Sequence, residues 1–186
     1  MRPLKVFESV TLDGFFVDDA GGMDWAHRSD PEWIEWTSAN AGGASEMVFG
    51  RVTYEQMAAW WPTAEAAAAM PVVARGMNAT PRVVFSRTLA EVTWEGTRLV
   101  RDDLVGEVGR MKEADGPDLL VMGSGSIVTQ LATAGLVDEF QFVVVPVALG
   151  AGRTLFDGVT GPLAMELVRS QSFSNGNVVS SYRPAA

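Results

Sequence analysis

The chain has 186 residues, 47% hydrophobic and 20% charged, which suits one folded domain over 1–186 and argues against extensive disorder. Its net charge of −9, from 23 acidic and 14 basic residues with no lysine–arginine cluster, disfavours a nucleic-acid partner. The absence of cysteine excludes disulfides, thiolate metal sites and a cysteine nucleophile, and the single histidine excludes a multi-histidine metal site. No apolar run is long enough to span a membrane, and none resembles a signal segment, so the expected location is the cytoplasm.

Residues 4–17 read as one long strand, Lys5 to Thr11 and Leu12 to Val17, with Asp13-Gly14 as a bulge or tight bend. A helix is predicted over 31–42, with Ser29 or Asp30 as cap, Pro31 at the first position and Gly42-Gly43 as its stop. Glu46 to Phe49 is a short strand, and Gly50-Arg51 turns it into a helix over 51–60. The alanine-rich segment 64–70 reads as a helical turn or a mobile flap, and 72–79 stays ambiguous. Strands follow at 81–85 and 97–100, then an amphipathic helix from Leu104 to Ala114. Asp118 to Met122 is a strand entering Gly123-Ser124-Gly125-Ser126, with a helix from Ile127 to Ala134. Phe140 to Pro146 is an apolar strand, and residues 165–182 form a hairpin turning at Asn175-Gly176. Strand alternating with helix, with glycine at the turns, predicts an α/β fold. Its central sheet is mostly parallel, with helices on both faces and an antiparallel C-terminal hairpin.

Three strand ends carry residues suited to anionic ligands. Gly50, Arg51 and Thr53 open a helix whose first turn presents free N–H groups and a positive dipole end. Ser86, Arg87 and Thr88 combine two hydroxyls with a guanidinium, as a ribose 2′-phosphate requires. Gly123, Ser124, Gly125, Ser126 and Ile127 let the backbone approach a pyrophosphate closely, although the spacing is neither G-x-G-x-x-G nor a P-loop. Each reads equally as an ordinary turn when taken alone; together, at neighbouring strand ends, they point to a dinucleotide. Trp33 and Trp36, three apart on one helix face, read as core, and His27 as an exposed loop residue.

Leu12-Asp13-Gly14-Phe15, Gly50 to Glu55, Ser86-Arg87-Thr88 and Gly123 to Ile127 together resemble the dihydrofolate reductases. Asp138-Glu139-Phe140, the strand to Pro146, Leu149 to Gly152 and Leu155-Phe156 bring the chain closer to the reductase domain of riboflavin-biosynthesis enzymes and its stand-alone relatives. The resemblance implies a three-layer fold with a central sheet of about eight strands, bound NADPH, and hydride transfer to a small heterocyclic or pyrimidine- or pterin-like substrate. An activity like that of dihydrofolate reductase or 5-amino-6-(5-phosphoribosylamino)uracil reductase follows, in a homodimer. The alternative is a non-catalytic NADPH- or ligand-binding homodimer of the same fold.

Carried over, Gly50, Arg51, Thr53, Gly123, Ser124, Gly125, Ser126 and Ile127 would hold the pyrophosphate region, and Ser86, Arg87 and Thr88 the 2′-phosphate. Asp13 would lie near the nicotinamide, either as proton donor or as a cap of the bend. The chain departs from dihydrofolate reductases where Gly123-Ser124 replaces a Gly-Gly pair and where Asp30, Glu32 and Glu35 do not reproduce the pterin-facing acid. No full set of residues for a ribose phosphate is present either.

Overall fold

The structure is a computed structural model and describes residues 1–27, 30–40 and 45–185. Ser29 and Gly42-Gly43, expected to cap and stop the first helix, lie outside the described residues. The elements in chain order are β1 (Leu4–Thr11), β2 (Phe15–Val17), a 3-10 turn (Asp24–Ala26), α1 (Pro31–Asn40), β3 (Ser45–Gly50), α2 (Arg51–Trp60), α3 (Ala64–Ala69), α4 (Pro71–Ala79), β4 (Arg82–Phe85) and β5 (Thr97–Val100). They continue as α5 (Leu104–Glu113), β6 (Asp118–Met122), α6 (Gly125–Thr133), β7 (Glu139–Val145), β8 (Arg153–Thr154), β9 (Met165–Ser172) and β10 (Val178–Pro184).

The main sheet has eight strands in the order β5-β4-β3-β6-β1-β7-β10-β9. The six from β5 to β7 run parallel, and β10 and β9 add the antiparallel hairpin. This is a dihydrofolate-reductase-like arrangement. From β1 the chain steps one way to β3, β4 and β5, then returns the other way to β6 and β7. Right-handed crossovers send helices on the outward steps to one face and those on the return steps to the other. The buried clusters agree: Leu4, Val6, Leu119 and Val121 pack with Val108 of α5 and Leu131 of α6. Met47, Phe49 and Val84 pack with Tyr54 of α2 and Met77 of α4. Trp33 and Trp36 of α1 join Val143, Val145, Phe173 and Val179 in a third cluster.

The first strand corrects the sequence reading. Residues 4–17 form two strands in two sheets, because β2 leaves the main sheet to pair with β8. Asp13-Gly14 makes a reversal rather than a bulge: the Gly14 N–H donates to the Thr11 carbonyl at 3.0 Å, and Gly14 has φ +85°. The Phe15 N–H then donates to the Thr11 hydroxyl at 2.9 Å.

The segment between α2 and β4 resolves the other open reading. Thr63 caps α3 by accepting from the Ala66 N–H at 3.1 Å, so 64–69 is helix rather than flap. Pro71 occupies the first turn of α4, where its missing N–H costs nothing. The helix after β6 begins at Gly125, two residues before the expected Ile127.

Candidate functional site

β3 and β6 are neighbours, yet the helices that follow them leave to opposite faces. The N-termini of α2 and α6 therefore converge on the crevice beyond the carboxyl ends of these strands, where ligands bind in open α/β sheets.

Ser124 ties the two helix starts together. Its hydroxyl accepts from the Gly50 N–H at 2.9 Å and lies 3.0 Å from the Thr53 hydroxyl. The hydroxyl makes no capping hydrogen bond to α6, although Ser124 stands at the capping position of that helix. Among the described residues, no protein acceptor takes the N–H groups of Gly125 and Ser126. An anion at this point would meet unpaired donors and a positive helix end.

The backbone needs its glycines here. Gly123 and Ser124 both have φ +68°, so the strand leaves through two successive left-handed residues. A Cβ on Gly123 would stand 3.1 Å from Thr53 and 3.5 Å from Glu8 Oε2. A side chain on Gly50 would run into the Ser124 hydroxyl, and one on Gly125 would come within 3.1 Å of the Phe16 ring.

The remaining sequence candidates divide. Ile127 is buried beneath Gly50 as core, with its N–H given to the Ser124 carbonyl at 2.9 Å, while Ser126 is exposed. Arg51 pairs with Glu55 at 2.8 Å, both half-exposed, an interaction weak enough for a phosphate to displace. Ser86 follows Phe85, whose register partner is Gly50, so its loop opens one strand further along the same edge. The Ser86 hydroxyl accepts from the Thr88 and Leu89 N–H groups, which fixes the loop. Arg87 is 80% exposed and pairs only loosely with Asp102, at 3.1 Å.

Asp13, in the turn between β1 and β2, engages the loop at 149–150. Its carboxylate accepts from the Thr11 hydroxyl at 2.6 Å, the Gly150 N–H at 2.7 Å and the Leu149 N–H at 3.0 Å. The Thr11 hydroxyl and then the Gly150 amide hold its pKa below the ordinary carboxylate value. These bonds favour the capping alternative over a proton donor. Trp33 and Trp36 stack on each other at 5.0 Å and 16°, with Phe173 edge-on to both, so they serve packing.

The sequence reading passed over Glu8, the most buried carboxyl of the site at 4% exposed. Leu4, Val6, Glu8 and Val10 share one side of β1, and a carboxylate in that apolar row was the available signal. Glu8 Oε1 accepts its neighbour's N–H, from Ser9, at 3.0 Å, whereas Oε2 has no partner. Burial pushes its pKa up to about 8, against a small opposing effect of the Ser9 amide. No group of three metal-ligating side chains occurs among the described residues, and no helix there is long and apolar enough to cross a membrane.

Known proteins resemble this chain in sequence or in fold. The Bacillus subtilis (strain 168) protein YyaP is 29% identical over 170 residues, covering 91% of this chain and 88% of its own. A pyrimidine reductase-like protein from Corynebacterium diphtheriae superposes with a TM-score of 0.67 at 13% identity, covering 100% of this chain and 92% of its own. Dihydrofolate reductase from Enterococcus faecalis, solved with NADP(H), gives 0.66 at 13% identity, covering 99% of this chain and 97% of its own. At such identities the superpositions speak for the fold alone. The profile of the RibD C-terminal domain matches residues 3–179, from the start of the first strand into the last. A match of that extent, on this strand order, makes the chain a member of the RibD C-terminal domain family.

Proposed function

We propose that this protein is a cytoplasmic NADPH-dependent reductase that acts on a small heterocycle of the pyrimidine or pterin kind. The observation that carries the reading is the joint between Gly50, Thr53 and Ser124, which sets two helix N-termini around a left-handed turn with unpaired N–H groups. A pyrophosphate fits this chemistry: the left-handed Gly123-Ser124 turn leaves the Gly125 and Ser126 N–H groups without protein acceptors, and the first turns of α2 and α6 donate to it. Bound NADPH would supply the hydride. Gly50, Thr53, Gly123, Ser124, Gly125 and Ser126 orient it, with Arg51 free to swing from Glu55 onto a phosphate. Asp13 holds the 149–150 loop against the β1–β2 turn.

Ser86, Arg87 and Thr88 are assigned to the 2′-phosphate. NADPH is expected to bind more tightly than NADH, and Arg87→Ala to remove most of the difference. A charge-assisted contact of this kind contributes about 1.5–3 kcal/mol, roughly 10- to 100-fold in affinity. Fluorescence titration with both cofactors checks this, and equal affinities in the unaltered protein would overturn the assignment. Oxidation of NADPH by a panel of pterins, pyrimidines and quinones then identifies the substrate class.

The reading includes a two-fold homodimer. β9 is an edge strand exposed along nearly its whole length, with Leu167 58% and Val168 56% exposed, the kind of edge that pairs with another chain when left bare. Light scattering at micromolar concentration is expected to give twice the chain mass, and Leu167→Lys with Val168→Lys to give the monomer.

A further inference from the structure

We propose that Glu8 is a positioning residue of the dinucleotide site, its unpartnered Oε2 held for an oxygen of the cofactor at the Gly123 turn. The inference rests on reading that turn as the NADPH site.

The geometry begins with the register. Leu4 pairs with Leu119, Val6 with Val121 and Phe7 with Met122, so Glu8 comes level with Gly123, where β6 leaves the sheet. The space a side chain on Gly123 would fill is therefore bounded by Thr53 at 3.1 Å and by Glu8 Oε2 at 3.5 Å. Thr53 already belongs to the cradle through Ser124. Glu8 Oε2 is shut off from solvent and has no protein partner, an arrangement that leaves a buried polar atom unsatisfied until something else supplies the contact.

The surroundings keep the carboxyl neutral. On β1, Lys5 pairs with Asp118 of β6 at the opposite end of the strands, and Asp13 is engaged with the 149–150 loop. β7 contributes Glu139, also at the far end, and neither β2 nor α6 carries a charged residue. On α2, Arg51 and Glu55 are paired with each other, and the Tyr54 hydroxyl accepts from the N–H groups of Thr93 and Trp94. Arg153 of β8 stands over the Phe16 ring. With no cation paired to Glu8, burial decides its state: it is protonated at neutral pH and titrates at about 8.

The sign of the linkage follows. Below about pH 8 Glu8 is an O–H donor. Above it, the site must take up a proton to bind the anionic dinucleotide in the same way, and affinity falls roughly tenfold per pH unit. Glutamine keeps the shape and a donor but cannot ionise; methionine fills the space without donating.

The test is titration of the folded protein with NADPH, and with NADH as a probe lacking the 2′-phosphate, from pH 6.5 to 9.5. The unaltered protein is expected to hold its affinity to about pH 8 and lose roughly tenfold per unit beyond, with both cofactors. Glu8→Gln is expected to bind within a few-fold of the low-pH value throughout, and Glu8→Met about tenfold more weakly at every pH. Calorimetry of the unaltered protein at pH 8.5, in buffers of different ionisation enthalpy, is expected to show about three-quarters of a proton taken up on binding; this needs no variant to fold. A flat profile in the unaltered protein, or the same slope in Glu8→Gln, would overturn the proposal while leaving the site reading intact. No NADPH binding at pH 6.5 would overturn both.

Discussion

Gly123→Val is expected to lose NADPH binding by about 100-fold or more while the protein stays folded. Two costs combine. At φ +68° a β-branched residue meets its own carbonyl, a strain of roughly 1–3 kcal/mol. Its Cβ would also stand 3.1 Å from the Thr53 side chain, so the branched methyls push Thr53 away from the Ser124 hydroxyl and take the cradle apart. Gly135→Ala separates the two effects. Gly135 has φ +67° but nothing within 4 Å of a Cβ, so the substitution carries the strain without the obstruction. It is expected to lower the melting temperature by a few degrees and to leave NADPH affinity unchanged. Thermal melts and fluorescence titration on the two variants provide the check. Normal NADPH binding by Gly123→Val would place the cradle elsewhere.

Arg82→Leu is expected to be the most destabilising single substitution at a charged residue, by roughly 3–5 kcal/mol in urea denaturation. Arg82 is 2% exposed, and its guanidinium donates to the carbonyls of Met77 at 2.7 Å, Asn78 at 3.1 Å, Thr80 at 2.5 Å and Glu95. It also lies 3.8 Å over the ring of Trp94. Four carbonyls that close the end of α4 and the approach to β5 thus depend on one side chain, and removing it strands them. Lysine is a point charge with fewer donors and no flat face to stack, so Arg82→Lys is expected to recover less than half of the loss. Arg87→Ala, at an 80% exposed site, serves as the comparison and is expected to cost less than about 1 kcal/mol. A loss no larger at Arg82 than at Arg87 would refute this account of the edge.

What the sequence made legible were features written in local chemistry. Gly50 followed by Arg51 marked the start of α2, and the Leu119–Met122 run before Gly123 marked β6 and its turn. Asn175-Gly176 marked the terminal hairpin, with Gly176 at φ +87°. The joint at Ser124 was legible only as a list of residues. That its hydroxyl reaches Gly50, 74 positions earlier, depends on β6 entering between β3 and β1, which no local pattern states. The break at Asp13-Gly14 was visible, but not that β2 would find its partner at Arg153–Thr154. Arg82 opens an apolar strand as if it were a solvated flank, because its acceptors are carbonyls contributed by α4 and by the loop before β5.

The strand order also bears on how the chain reaches this state. Both neighbours of β1 in the sheet, β6 and β7, lie more than a hundred residues further along the chain. As the polypeptide leaves the ribosome, its first strand emerges with two unpaired edges and an apolar row, and it keeps them until residues 118–145 follow. β3, β4 and β5 can pair in the meantime, whereas β1 waits for contacts of long sequence separation, which close late and slowly. Entry of β6 between β3 and β1 and assembly of the Gly50–Ser124 joint are therefore the same event, so a nascent chain cut short before β6 has no such joint.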